Sequence, residues 1–130
     1  QLDGPLDFIS VDVSFISLKL ILPVMRRLMN ETGQAAVLVK PQFEAAREQV
    51  GDKGVVTDRA VHREVIEHCI GYAAENGFDV CGLTYSPIKG PEGNIEYLLY
   101  LRCGSGKVLI VPEQIAAAVD ASHEAVLTRH

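Results

Sequence analysis

Five consecutive apolar residues, Ala35 to Val39, run into a lysine and a proline, and this junction constrains the fold more than any other stretch of the chain. A valine-rich run without polar alternation suits a strand buried on both faces, as in a parallel sheet covered by helices. Pro41 brings no amide donor and biases Lys40 towards extended backbone, so the ladder is expected to stop there. Lys40 is thereby placed at the carboxyl end of a central strand, the rim at which open α/β sheets bind ligands.

The flanking patterns build a β-α-β unit around that strand. Leu6 to Val13 reads as a first strand with Asp12 at its carboxyl end. Ser17 then caps a helix running through Leu18, Leu20, Ile21, Leu22, Val24, Met25, Leu28 and Met29, in which Pro23 marks a kink or the first turn of the main segment. Asn30-Glu31-Thr32-Gly33 is the expected helix stop and loop, and the crossover is expected to be right-handed with parallel strands. Residues 42–56 read as a loop with one helical turn, long enough for a functional role. Thr57 or Asp58 caps a long helix whose apolar face is Val61, Val65, Ile66, Cys69, Ile70 and Ala73, ended by Asn76-Gly77. Phe78 to Ser86 and Ile95 to Arg102 are two strands forming an antiparallel pair at one edge of the sheet. A turn at Gly104 to Gly106 precedes a last helix from Pro112 through Ile115, Ala116, Val119 and Val126.

Length and a hydrophobic fraction of 48% give one domain's worth of core. A net charge of -5 and a pI near 5.3 argue against gripping nucleic acid through bulk positive charge, so any RNA contact is local. Arg26, Arg27, Arg47, Lys53, Lys89 and Arg102 are the residues available for phosphates. No apolar stretch has the length of a membrane span and no leader pattern is present. Cys69, Cys81 and Cys103 are odd in number and lack a C-x-x-C pair, which reads as reduced, buried thiols of a cytosolic protein. His62 and His68 share the long helix without metal-ligand spacing, so surface or supporting roles are expected and no metal site is assigned. Ser14 and Ser17 lack the neighbours of a nucleophile.

Asp12, Lys40 and Glu96 stand out because acids and amines are rarely buried unpaired, yet each falls at or within an expected strand. The topology brings all three to one rim. On spacing alone this is equally a structural lysine–carboxylate network or a catalytic one.

Four segments carry a resemblance. Asp12-Val13-Ser14-Phe15-Ile16-Ser17-Leu18, Val39-Lys40-Pro41-Gln42-Phe43-Glu44, Gly54-Val55-Val56 with Val61-His62, and Ser86-Pro87-Ile88-Lys89-Gly90-Pro91-Glu92-Gly93-Asn94-Ile95-Glu96 occur in this order. With them the chain resembles the TlyA-type haemolysin A family, FtsJ-like ribosomal RNA ribose 2′-O-methyltransferases, along essentially its whole length. The resemblance implies a Lys-Asp-Lys-Glu catalytic tetrad in which Asp12, Lys40 and Glu96 match the last three members; the first lysine has no counterpart here. It implies S-adenosylmethionine as cofactor, with Asp12 also near its methionine end, and ribosomal RNA or ribosomal subunits as partners in the cytoplasm. The S4-like RNA-binding domain and the glycine-rich cofactor loop expected earlier in the family are not among these residues. Residues 1–130 are therefore expected to be a partial FtsJ-like methyltransferase domain. In fold class this is α/β, the C-terminal half of a Rossmann-like sheet with two parallel strands plus a terminal antiparallel hairpin, flanked by helices.

The residue types suit the chemistry. A ribose hydroxyl becomes a nucleophile when its proton is removed or its oxyanion is stabilised, and a lysine beside carboxylates does either. Lys40 is thus a base or an electrostatic clamp, with Asp12 and Glu96 orienting it. The alternatives are a non-catalytic RNA or protein interaction module, or a membrane-active protein of the kind the haemolysin name denotes. Without a basic amphipathic helix the sequence disfavours lysis. Taken alone, these residues are expected to be inactive, and the open edge of the Leu6 to Val13 strand invites self-association.

Overall fold

Ser17 starts the first helix as its position demands. In the computed structural model, which describes residues 6–11, 17–44, 58–86 and 94–128, its hydroxyl accepts from the Lys19 amide at 3.1 Å. Helix α1 spans Leu18–Leu28 and buries Leu18, Leu22 and Met25, while Leu20, Val24 and Leu28 remain exposed. The apolar pattern is wider than the face that packs.

Strand β1 spans Leu6–Val11 and β2 spans Met29–Val39, so α1 passes into β2 with no loop between them. The expected loop Asn30-Glu31-Thr32-Gly33 is instead part of the strand. The pairing shows how: β1 and β2 run parallel, Leu6 pairs with Met29 and Phe8 with Gln34, so the polar segment is absorbed as an irregularity on the β2 side. Beyond it the register is even, to Val11 opposite Val37.

Pro41–Glu44 forms the single turn α2, and the rest of the expected loop, residues 45–57, lies outside the described residues. Asp58 caps helix α3, Arg59–Glu75, by accepting the Ala60 amide at 2.8 Å. Helix α3 ends at Asn76 and Gly77, where a φ of 82° favours glycine. Its buried face is His62, Val65, Ile66, Cys69, Ile70 and Ala73, with Val61 only partly covered. Strands β3, Phe78–Tyr85, and β4, Tyr97–Cys103, are antiparallel. Helix α4 covers Pro112–Thr128.

The sheet order is β1-β2-β4-β3, with β4 antiparallel to both neighbours. The return strand therefore sits inside the sheet and β3 is the outer edge. Helix α3 touches α1, α4, β2 and β3. Against these helices the strands present Val37, Val39, Tyr97, Leu99, Leu101, Phe78 and Val80, all buried. The other face of β2 carries Ala36 and Leu38, only half-buried, and β4 adds Leu98 and the exposed Tyr100. Double-sided burial of Ala35 to Val39 is thus replaced by alternation, the pattern of a sheet whose helices lie on one side among the described residues.

At the end of the sheet away from Lys40, Asp79 organises a turn. Its Oδ1 accepts the Ser105, Gly106 and Lys107 amides at 3.2, 3.1 and 2.9 Å, and Oδ2 accepts from Arg102 at 3.2 Å. These bonds, the Lys107 amide foremost, hold the carboxyl below the usual carboxylate range. Cys69 and Cys103 are buried free thiols, as expected; Cys81 is exposed, at the bulge between Val80 and Gly82, on the face that alternation from the buried Val80 turns away from the helices. Burial pushes the Cys69 thiol far up, which keeps it protonated and inert.

Candidate active site

The β2–β4 ladder ends with Val39 opposite Tyr97. Lys40 follows the first and Glu96 precedes the second, so in an antiparallel pair they occupy the next facing position. Val39 and Tyr97 are fully buried against the helices, and the alternation of side chains turns Lys40 and Glu96 to the opposite face together. Facing positions place their Cβ atoms about 4.5–5.5 Å apart. Glu96 is buried, Lys40 is half-buried, and the Glu96 carbonyl accepts the Ser86 amide at 2.8 Å, which ties this position to the end of β3. Asn94, fully buried, lies two residues earlier. Asp12 is outside the described residues; β1 ends just before it, at Val11, on the same rim.

Two residues after Lys40, Gln42 has a buried Oε1 with no hydrogen-bond partner among the described residues, an acceptor suited to a donor. Glu44 explains why α2 stays beside the rim. Its Oε1 accepts the Ser17 hydroxyl at 2.7 Å and its Oε2 the Leu18 amide at 2.9 Å, so the carboxylate sits on the N-terminus of α1. Burial raises the Glu44 pKa against the lowering effect of these two bonds. In the sequence the residue falls within the expected loop and closes the Val39 to Glu44 segment; its partners are distant in the chain, and no local spacing reveals them.

On the helix side of the same strand end is a polar cluster. Tyr97 Oη lies 3.0 Å from His62 Nδ1 and 2.8 Å from Ser122 Oγ, Ser122 donates to the Val119 carbonyl at 2.7 Å, and His123 Nε2 lies 2.9 Å from His62 Nδ1. His62, Tyr97 and Ser122 are buried. Desolvation raises the Tyr97 phenol to about 12, so it stays protonated. His62 is thus a buried residue on the packed face, one turn before Val65 and Ile66, and only the helical period could have signalled it. His68 is exposed. Among the described residues no group of three or more His, Cys, Asp or Glu side chains could hold a metal ion.

The profile of the FtsJ-like methyltransferase family matches residues 1–103, most of the chain and all of the rim. The chain belongs to this family. It is 46% identical over 93% of its length to "Putative rRNA methyltransferase YqxC" of Bacillus subtilis and 36% identical over 95% to "16S/23S rRNA (cytidine-2'-O)-methyltransferase TlyA" of Mycobacterium tuberculosis, covering 44% of each. A solved structure, "Putative hemolysin from Streptococcus thermophilus", superposes with a TM-score of 0.92 at 43% identity, over 97% of this chain and 46% of that one. The chain spans less than half the length of these relatives. Within the FtsJ-like domain, the cross-strand placement of Lys40 and Glu96 agrees with the rim read from the sequence, while Gln42, Glu44 and Tyr97 gain contacts or positions to which that reading gave no role, and His62, expected at the surface or in a supporting place, is buried beside Tyr97.

Proposed function

We propose that residues 1–130 are the C-terminal part of an FtsJ-like catalytic domain and that the complete protein methylates ribose 2′-hydroxyls of ribosomal RNA. The observation that carries this is the facing placement of Lys40 and Glu96 one position past the last rung of the β2–β4 ladder, in a chain whose relatives include a protein named for cytidine 2′-O-methylation of 16S and 23S rRNA. A ribosomal substrate places the protein in the cytoplasm.

S-adenosylmethionine, the donor implied by the family, would supply an electrophilic methyl group. Among the described residues the two positive-φ glycines, Gly77 and Gly106, lie at the other end of the sheet, so none forms a cofactor cradle beside Lys40. The acid–base groups at the rim fit the acceptor side of the reaction. Lys40 takes the 2′-hydroxyl proton or holds the developing oxyanion. Glu96 keeps the amine oriented, and Asp12, the residue that follows β1 in the chain, would share that role and help to hold the methionine part of the donor, as the family pattern implies. Gln42 Oε1 accepts from a hydroxyl or amine of the bound ligand. Alignment of hydroxyl and methyl is the main demand on the protein, since the transfer is a direct displacement.

In the complete protein, Lys40→Ala is expected to lower methyl transfer to ribosomal subunits on the order of a hundredfold or more, with the fold retained. Wild-type methylation by this variant would sink the proposal.

A further inference from the structure

The polar cluster behind the rim has a fixed proton order. Ser122 spends its one hydrogen on Val119, so Tyr97 must donate to Ser122 and cannot also donate to His62. His62 Nδ1 then carries a hydrogen, which points at both Tyr97 Oη and His123 Nε2. Every other assignment sets lone pair against lone pair in one of the contacts. The chain of donors therefore runs from His62 through Tyr97 and Ser122 to the Val119 carbonyl, with His123 neutral and accepting.

We propose that this chain is a positioning device, which holds the first residues of β4 so that the Glu96 carboxyl stays in register with Lys40. The proposal rests on the reading of that pair as catalytic. Ladder ends fray, and Val39 with Tyr97 is the last β2–β4 pair in register. Tyr97 is the last residue before the pair, and its hydroxyl is fastened to α3 through His62 and to α4 through Ser122. From the other side the Glu96 carbonyl is fastened to Ser86. A phenylalanine would fill the same apolar space without desolvating the hydroxyl, so packing alone does not call for a tyrosine here. The tyrosine points away from the face that carries Lys40, so it acts on the chemistry only through its neighbour.

The same proton order makes the device sensitive to acid. An imidazolium at His123 would direct an N–H at the N–H of His62. His123 is held below the ordinary histidine value, by burial first and then by His62 and Arg59, against the opposing pull of Asp120 on its own helix and Asp58 at the start of α3. Arg59 and Asp120 pair with each other at 2.9 Å.

The test uses the complete protein with ribosomal subunits as substrate, and Lys40→Ala as a parallel control. Tyr97→Phe is expected to lower kcat about 10- to 100-fold while KM for the RNA changes less than about twofold, the pattern of misaligned reacting groups. Glutamine at position 123 can accept from His62 but cannot become charged. Wild type is expected to lose kcat below the ordinary histidine range, and His123→Gln is accordingly expected to keep wild-type kcat at pH 8 and to lack that acid limb. An inactive Lys40→Ala beside a Tyr97→Phe enzyme with wild-type kcat overturns the positioning role and leaves the catalytic reading standing; an active Lys40→Ala overturns that reading. If Tyr97→Phe does not fold, the His123→Gln profile decides, and an acid limb identical to wild type overturns the proposal.

Discussion

Asp79 gathers three backbone amides and a guanidinium on one carboxylate, and it needs its charge to do so. Because its folded pKa lies below the unfolded value near ~3.9, the stabilisation is fully present above that value and is lost as pH falls through the folded one. Asp79→Asn is expected to lower the urea midpoint clearly at pH 7 and to differ much less from wild type at pH 2.5. An equal deficit at both pH values would mean that the side chain's shape, not its charge, holds the turn. Gly104 is bound into the same arrangement, since a Cβ there would collide with the Asp79 carboxylate. Nothing local in the sequence marks Asp79, whose turn partners lie more than twenty residues away. Lys40 could be read because the proline that ends its strand is its immediate neighbour.

At the scale of elements, helix α1 depends on a cap that α2 provides. Glu44→Ala is expected to destabilise the protein by about 0.5–2 kcal/mol, the usual range for a lost N-terminal cap, and Glu44→Gln by less, since an amide oxygen retains one acceptor. Equilibrium denaturation measures both; a neutral Glu44→Ala would show that Ser17 caps the helix unaided. The helices were legible because caps and periodicity are local: Ser17, Asp58 and Asn76-Gly77 all mark ends where expected. The join between α1 and β2 was not. Asn30 to Gly33 carry every signal of a loop, and only the pairing of β1 with β2 converts them into strand. Which face of β2 is covered was equally hidden, for an unbroken apolar run does not say how many layers pack on it.

For the whole molecule, the sheet order leaves β1 hydrogen-bonded to β2 alone among the described strands. Its sequence, LDFISV, contains no proline or lysine to discourage a further strand. The 130-residue chain on its own is expected to self-associate through this edge, and light scattering across a wide concentration range checks it; a strict monomer would show that the edge is covered. The order also has a bearing on how the protein is made. Strand β4, the last of the described strands in chain order, occupies the middle of the sheet, so β3 waits without a neighbour until β4 has inserted beside β2. Closing that long loop is an entropically slow step. Lys40 is synthesised early, but the carboxylate that faces it arrives only with the closing strand. During refolding of the complete protein, activity should therefore emerge with the final kinetic phase, and a nascent chain halted before Glu96 would carry the lysine without its partner.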